Sequence, residues 1–331
     1  MQTRPFGRTG LAVSTLGFGC GAVGGLMVRA APAERERAVA MALDAGVNYF
    51  DTAPQYGNGL SETHLGEILA RLKPAVIVGT KVRIADAEKD DLAGAIARSM
   101  DASLGRLGRD HVDLIQLHNP ITAADEAGTI PAARVLAEVV PAFQRLVEAG
   151  KTRFFGITAI GETDAVLRVV DSGAMFTGQV SYNLLNPSAG QAMPPGLPGQ
   201  DYGLLLERMR RAGMGSIGIR ALAAGALAGE ASRHPVASPP PPPIGSAASY
   251  EMDLAHAEVL RALVTEGYAA SMAEAATRFV ITGPLISTAL VGIASVEQFA
   301  IALAAVAKGP LPDAALERVA ALWRELAARA G

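Results

Sequence analysis

The sequence predicts an α/β fold, and within that class a (β/α)8 TIM barrel with an N-terminal β-hairpin and an extra C-terminal helix. Three observations predict it. Short apolar, β-rich runs fall at 15–20, 48–52, 76–81, 113–118, 153–158, 178–182, 215–221 and 287–292, each followed by a turn and then by helical periodicity. The runs are almost wholly apolar, as parallel strands buried on both faces are. Eight such units in 331 residues fit a closed barrel. A doubly wound sheet would want a Gly-rich fingerprint after its first strand. Gly19, Gly21 and Gly24 supply glycines there, but no acidic residue closes the second strand in the ribose-binding manner, so that match is weak.

Taken in order, residues 3–13 read as a hairpin turning at Arg8-Thr9-Gly10. Helices are expected at about 32–45, 60–72, 89–106, 131–149, 162–172, 201–213, 250–267, 271–282 and 295–307, with a last one at about 313–329 beyond the eighth unit. Two loops are long. Residues 183–200 are rich in Pro and Gly, and 228–249 contain five successive prolines, Pro239 to Pro243, which can join neither a helix nor a sheet interior. The second loop lies between structured units, which favours a cover over one barrel mouth rather than a free ligand for another protein. No boundary is needed, so 1–331 is expected to be one domain.

Half the residues are hydrophobic, 18% are charged and the net charge is −3, which gives no electrostatic case for nucleic acid or an acidic membrane surface. Cys20 is the single cysteine, so neither an intrachain disulfide nor a cysteine-rich metal site is expected. Arg4 and Arg8 are followed by no apolar h-region, and no apolar run is long enough to span a bilayer. A cytoplasmic protein that uses no metal is the expectation.

The candidate chemistry sits where the second, third and fourth strands end. Asp51 and Tyr56 follow strand two, Lys81 ends strand three and His118 ends strand four. Each has a bland reading alone: a turn cap, a packing ring, a snorkelling charge, a satisfied buried histidine. Together they bring titratable groups from three successive strands to the C-terminal rim, where barrel active sites lie. A Tyr is a fair proton donor but a poor base at pH 7 unless a cation is close. Lys81 as that cation is expected to lower the Tyr56 pKa, Asp51 to keep Lys81 charged, and His118 to donate a hydrogen bond to a carbonyl oxygen or to Tyr56. The set would let Tyr56 give a proton to a carbonyl oxygen or take one from an alcohol.

Along essentially its whole length the chain resembles the aldo-keto reductase family. The matching pieces are Phe6-Gly7-Arg8-Thr9-Gly10-Leu11, Gly17-Phe18-Gly19, Asp51-Thr52-Ala53 to Tyr56-Gly57, Ser61-Glu62, Gly79-Thr80-Lys81 and Val112-Asp113-Leu114-Ile115-Gln116-Leu117-His118. The resemblance implies a catalytic tetrad of Asp51, Tyr56, Lys81 and His118, with NADP or NAD extended across the barrel mouth. It implies cofactor contacts at Thr158, Gln179, Arg220, Leu222, Gly292, Ser295 and Gln298, with Gln179 holding the nicotinamide amide and Arg220 reaching a phosphate. Ser295 and Gln298 also fit a helix capping box without any cofactor. The chain departs from the family pattern in three places. Ala159 stands where an Asn often holds the carboxamide, and Ile219 where an aromatic often stacks on the nicotinamide. The Lys, Arg and Asn that NADPH-preferring members often carry near Gly292, Gln298 and Ala302 are missing. The Leu290-Val291-Gly292 end is similar to NAD-linked aldose or galactose dehydrogenases of the family. Val23, Met27, Asn119 and residues of the two long loops are the expected lining of a pocket for a small carbonyl or sugar substrate. Trp323, the single tryptophan, lies in the last helix, away from that pocket. The alternatives are a non-catalytic cofactor-binding regulatory subunit on the same fold, and a barrel isomerase or aldolase using Lys81 as a Schiff-base nucleophile.

Overall fold

The computed structural model describes residues 1–230 and 232–330. Eight parallel strands close into a barrel: β1 Leu16–Gly19, β2 Tyr49–Asp51, β3 Ile77–Val82, β4 Val112–Leu117, β5 Thr152–Thr158, β6 Thr177–Ser181, β7 Gly215–Ile219 and β8 Thr288–Gly292. β8 returns to β1 in register Ala289 to Leu16 and Gly292 to Gly19, so the barrel sheet closes on itself without an edge. All eight strands lie where the apolar runs place them. Around them stand α1 Pro32–Asp44, α2 Leu60–Leu72, α3 Leu92–Leu107, α4 Val140–Glu148, α5 Thr163–Asp171, α6 Leu205–Arg211, α7 Tyr250–Leu260, α8 Met272–Ile281, α9 Val296–Ala307 and α10 Asp313–Ala330. The segment expected as one helix over 131–149 carries a π-helical stretch at Val135–Val139, and the one expected from 201 begins only at Leu205.

Strand periodicity divides each strand between two cores. Tyr49, Ile77, Leu114, Ile217 and Leu290 face inward and pack with Phe6 and Val13 of the N-terminal hairpin, which plugs the lower mouth. The hairpin pairs Thr3–Pro5 with Ala12–Ser14 and turns through Gly10 at φ 74°. Arg8 ties it down, donating to the carbonyls of Gly173 and Met175 at 2.6 and 2.8 Å. Outward residues such as Phe18, Phe50, Val78 and Ile115 join the larger core beneath the helices.

The outward polar residues of the signature stretches are structural. Thr80 points out of β3 and donates to Glu62 of α2 at 2.6 Å, and Arg106 of α3 pairs with the same buried carboxylate at 2.6 Å. Ser61 bonds the Thr52 hydroxyl and the Cys20 carbonyl, each at 2.9 Å, stapling the β1 and β2 ends to α2. Asp113 accepts from the Val78 amide at 2.9 Å. The last helix is held by Trp323, whose ring N–H donates to the Leu184 carbonyl at 2.7 Å and so anchors the loop after β6.

Glycines inside the barrel make room for one large ring. A Cβ on Gly79 would lie 2.7 Å from the Tyr49 hydroxyl, and one on Gly17 would lie 3.0 Å from the Tyr49 ring. Gly79→Ala is therefore expected to cost about 1–3 kcal/mol of stability by overpacking. In a urea double-mutant cycle, Tyr49→Phe should recover part of that loss. Strictly additive effects would mean that the hydroxyl is not what the methyl meets.

Candidate active site

The C-terminal rim of β2, β3 and β4 carries a buried ion pair. The Lys81 ammonium is bound to Asp51 Oδ1 and donates to the Thr52 carbonyl at 2.8 Å. Lys81 is 1% exposed and Asp51 3%, so neither charge is solvated by bulk water. The second carboxylate oxygen is held from two sides. The Tyr49 hydroxyl donates to Oδ2 at 3.1 Å, and the Gln179 amide donates to it at 2.6 Å. Burial pushes the Asp51 carboxyl up, while Lys81, Tyr49 and Gln179 pull it back. Burial alone would pull Lys81 down, but Asp51 and Tyr56 outweigh it and leave the ammonium above its usual range.

Tyr56 stands on the turn after β2, with the Lys81 ammonium 4.9 Å from its ring centroid. The expectation of a lowered phenol pKa is corrected here. Lys81 does pull it down, but burial is the larger effect and the net shift is upward. Charge neighbours are visible in a sequence, whereas the extent of desolvation is not. His118 meets the Tyr56 ring edge to face at 6.2 Å between centroids, and its Nδ1 lies 3.3 Å from Gln55 Oε1. Burial, then Lys81 and Arg83, push the His118 ring down to about 3, so it is neutral at pH 7.

These groups open onto a cavity of about 600 Å³. It runs from Asp51, Tyr56 and His118 past Thr158, Gln179, Arg220 and Leu222 to Gly292 and Gln298. Val23 lines it as expected. Ser295 does not reach it: its hydroxyl caps α9, accepting from the Gln298 amide N–H at 3.3 Å. The Gln298 side chain accepts from the Ala294 amide at 2.8 Å, which completes the helix start.

Met27 and Asn119 are corrections. Met27 is 1% exposed in the short helix Leu26–Arg29 and packs into the outer core instead of lining the cavity. Asn119 is fully buried and spans two loops, accepting from the Ile84 amide at 2.8 Å and donating to the Ile84 and Gly128 carbonyls at 2.9 and 3.1 Å. Side-chain direction at a strand end depends on which neighbouring backbone groups need partners, and sequence position does not report that. Gln179 reaches the cavity, but its amide N–H is already engaged by Asp51 and its Oε1 accepts from Thr158 at 3.4 Å.

The segment after β7 is backbone-strained. Arg220, Ala223 and Ala224 have φ of 58°, 45° and 58°, the left-handed region that side chains disfavour. Asn183 holds the first of these by donating to the Arg220 carbonyl at 3.0 Å. Among the described residues no carboxylate pairs with the half-buried Arg220 guanidinium. Arg233 bears out the expectation that the second long loop lines the cavity, and Tyr250, just beyond that loop, lies outside the expected lining. Arg233 donates to the Ala224 carbonyl at 2.6 Å and the Ser238 carbonyl at 2.9 Å, and Tyr250 lies 5.8 Å from it, ring centroid to guanidinium. Both come from or flank the proline-rich loop, whose Ala237 and Ile244 also line the cavity. No local pattern marks them.

A sequence model of the Aldo/keto reductase family matches residues 15–324. The chain is 37% identical over 163 residues to an L-galactose dehydrogenase of Arabidopsis thaliana, covering 48% of this chain and 49% of that protein. It is 31% identical over 213 residues to a D-threo-aldose 1-dehydrogenase of a Pseudomonas species, covering 56% of this chain and 62% of that protein. The matches thus span about half the length of these curated relatives. The fold superposes on an aldo-keto reductase from Bacillus halodurans in its holo form, with TM-score 0.71, 22% identity and coverage of 97% and 96% of the two chains.

The His118 environment predicts a titration that does not happen. The folded ring titrates near 3 and the unfolded one near about 6.5, so between those values the unfolded chain binds the extra proton. This contribution therefore erodes stability as pH falls from about 6.5 toward 3. In NMR, the His118 ring shifts should stay flat between pH 5 and 8, and His118→Gln should flatten the acid-side loss of stability. A His118 midpoint near 6.5 would contradict the assigned burial.

Proposed function

The chain belongs to the aldo/keto reductase family, and on that premise we propose that it is a nicotinamide-dependent oxidoreductase interconverting a carbonyl and an alcohol. The observation that carries this reading is the convergence of Tyr56, the Lys81–Asp51 pair and neutral His118 on one cavity rim. Tyr56 is the proton donor to a carbonyl oxygen and, in the reverse direction, the acceptor from an alcohol. The Lys81 ammonium stabilises the phenolate that proton transfer leaves behind. Asp51 holds that ammonium charged and in place. His118, neutral at working pH, hydrogen-bonds the substrate oxygen and orients it toward the phenol. Proton transfer from a positioned group of this kind contributes roughly 10²–10⁴ in rate.

The donor set fits NADP or NAD. Thr158 and Gln179 offer a hydroxyl and an amide beside the Tyr56 rim for a carboxamide. Arg220, which feels the charge of buried Asp253 without pairing with it, offers a guanidinium for a phosphate, with Leu222 and Gly292 flanking the cavity and Gln298 at the start of α9. When bound, the nicotinamide supplies or takes the hydride. Aldoses are substrates to test first, because the two relatives at 37% and 31% identity are named for L-galactose and D-threo-aldose.

Two measurements test the reading. Tyr56→Phe should cut turnover by about 10²–10⁴ while leaving nucleotide affinity nearly unchanged; full activity in that variant would remove Tyr56 from the mechanism. Fluorescence titration with NADH and with NADPH should give saturable binding of at least one. NADH equal or tighter directs the work to aldoses with NAD⁺, and NADPH tighter directs it to aldehyde and ketone reduction. Binding of neither would overturn the oxidoreductase reading.

A further inference from the structure

Asp51 carries more donors than a partner for one lysine needs. Its Oδ1 serves Lys81, and its Oδ2 takes both the Tyr49 hydroxyl at 3.1 Å and the Gln179 amide at 2.6 Å. The Tyr49 arrangement is built, since the ring is fully buried, rests 5.8 Å from Phe6, and occupies space that Gly79 and Gly17 leave free. A methyl on Gly79 would collide with the very hydroxyl that reaches Asp51. Gln179 comes from the far side of the barrel, on β6, and faces the cavity as well as the carboxylate. Its other end takes the Thr158 hydroxyl at 3.4 Å. A hydrogen-bonded line thus runs from Thr158 through Gln179 and Asp51 to Lys81, whose ammonium lies over the Tyr56 ring.

We propose that Tyr49 and Gln179 are positioning residues that clamp Oδ2 of Asp51, and that Gln179 is the link through which an occupant of the cavity acts on the proton donor. Both clamps are neutral donors, so they stabilise the carboxylate without competing for its charge. They fix its rotation, which aims Oδ1 at Lys81. The groups facing Asp51 are the Lys81 ammonium, the Tyr56 and Tyr49 phenols, the Cys20 thiol just beyond β1 and the Gln179 amide. Burial pushes the Tyr49 phenol and the Cys20 thiol up, so both are neutral at working pH. Lys81 is therefore the one cation among them, and removing either clamp leaves the ionised form of Asp51 less stable. The second half of the proposal rests on the oxidoreductase reading. An occupant that hydrogen-bonds Gln179 alters what that amide gives to Asp51, and the change is passed to Lys81.

The test is the titration of Asp51 itself in the unliganded protein, followed through ¹³C-labelled aspartate by NMR and assigned with Asp51→Asn. Tyr49→Phe and Gln179→Met, both close in volume to the native residues, should each move the Asp51 midpoint up by about one pH unit. The acid limb of the kcat/KM profile should move the same way. Unchanged midpoints in both variants would overturn the clamp, and a shift in Tyr49→Phe alone would remove Gln179 from it. Adding NADH or NADPH should shift the wild-type midpoint and leave that of Gln179→Met in place. Binding without a wild-type shift would overturn the link while leaving the oxidoreductase reading intact. Absence of nucleotide binding, with both unliganded shifts present, would overturn that reading and the link, and leave the clamp standing.

Discussion

Everything at the barrel's upper mouth depends on the buried pair between Lys81 and Asp51. Two charges removed from water cost several kcal/mol each, and their attraction offsets this only when the remaining lone pairs and protons are also satisfied. Here they are. The ammonium has the Thr52 carbonyl besides Asp51, and the carboxylate has Tyr49 and Gln179 besides Lys81. A pair so enclosed cannot drift, and its position fixes where a phenol must sit to feel the cation. The same enclosure explains why the Tyr56 pKa is raised overall: the burial that strengthens the pair also penalises a phenolate beside it. In a buried site of this kind, a free phenol held as an acid is the expected resting state.

The strand repeat of two residues divides the work. In β3, Ile77, Gly79 and Lys81 face the barrel interior, while Val78, Thr80 and Val82 face the helices. The inward set supplies packing, space and charge. The outward set ties the strand to α2 through Thr80 and Glu62, and Arg106 extends that tie to α3. Thr52 and Ser61 do the same for the turn after β2. A signature stretch such as Gly79-Thr80-Lys81 is therefore three separate requirements in a row. The first is room for Tyr49, the second a hydroxyl for a buried glutamate, and the third the cation.

Those requirements account for what could be read before the structure. The eight strands and the rim positions of Asp51, Tyr56, Lys81 and His118 follow from apolar periodicity and from where each run stops. What could not be read is where a polar side chain turns once its strand has ended. Asn119, one residue beyond His118, rotates outward because the Ile84 and Gly128 backbone groups need partners, and Met27 turns into the core. Tyr49 reads as an apolar strand residue; it shares the inward face of β2 with Asp51, and the room that lets its ring place the hydroxyl on that carboxylate comes from Gly79 and Gly17 on neighbouring strands. Gln179 reads as a cavity amide, and its bond to Asp51 depends on a strand from the opposite wall.

The two halves of the cavity are built on different physics. The rim of β2, β3 and β4 is short strand and interlocked side chain, so its geometry is set by the barrel. The opposite wall draws on the segment after β7 and on residues of the proline-rich stretch, with the non-glycine residues Arg220, Ala223 and Ala224 in the left-handed region and carbonyls held by Asn183 and Arg233. Strain of this sort, about 1–3 kcal/mol per residue, persists only where surrounding contacts over-determine it. A wall held by a few such contacts can change its lining without disturbing the ion pair opposite. On the proposed reading, the acid–base groups stand apart from the wall that would choose the bound molecule except at Gln179, which is bonded to Asp51 and exposed to the cavity.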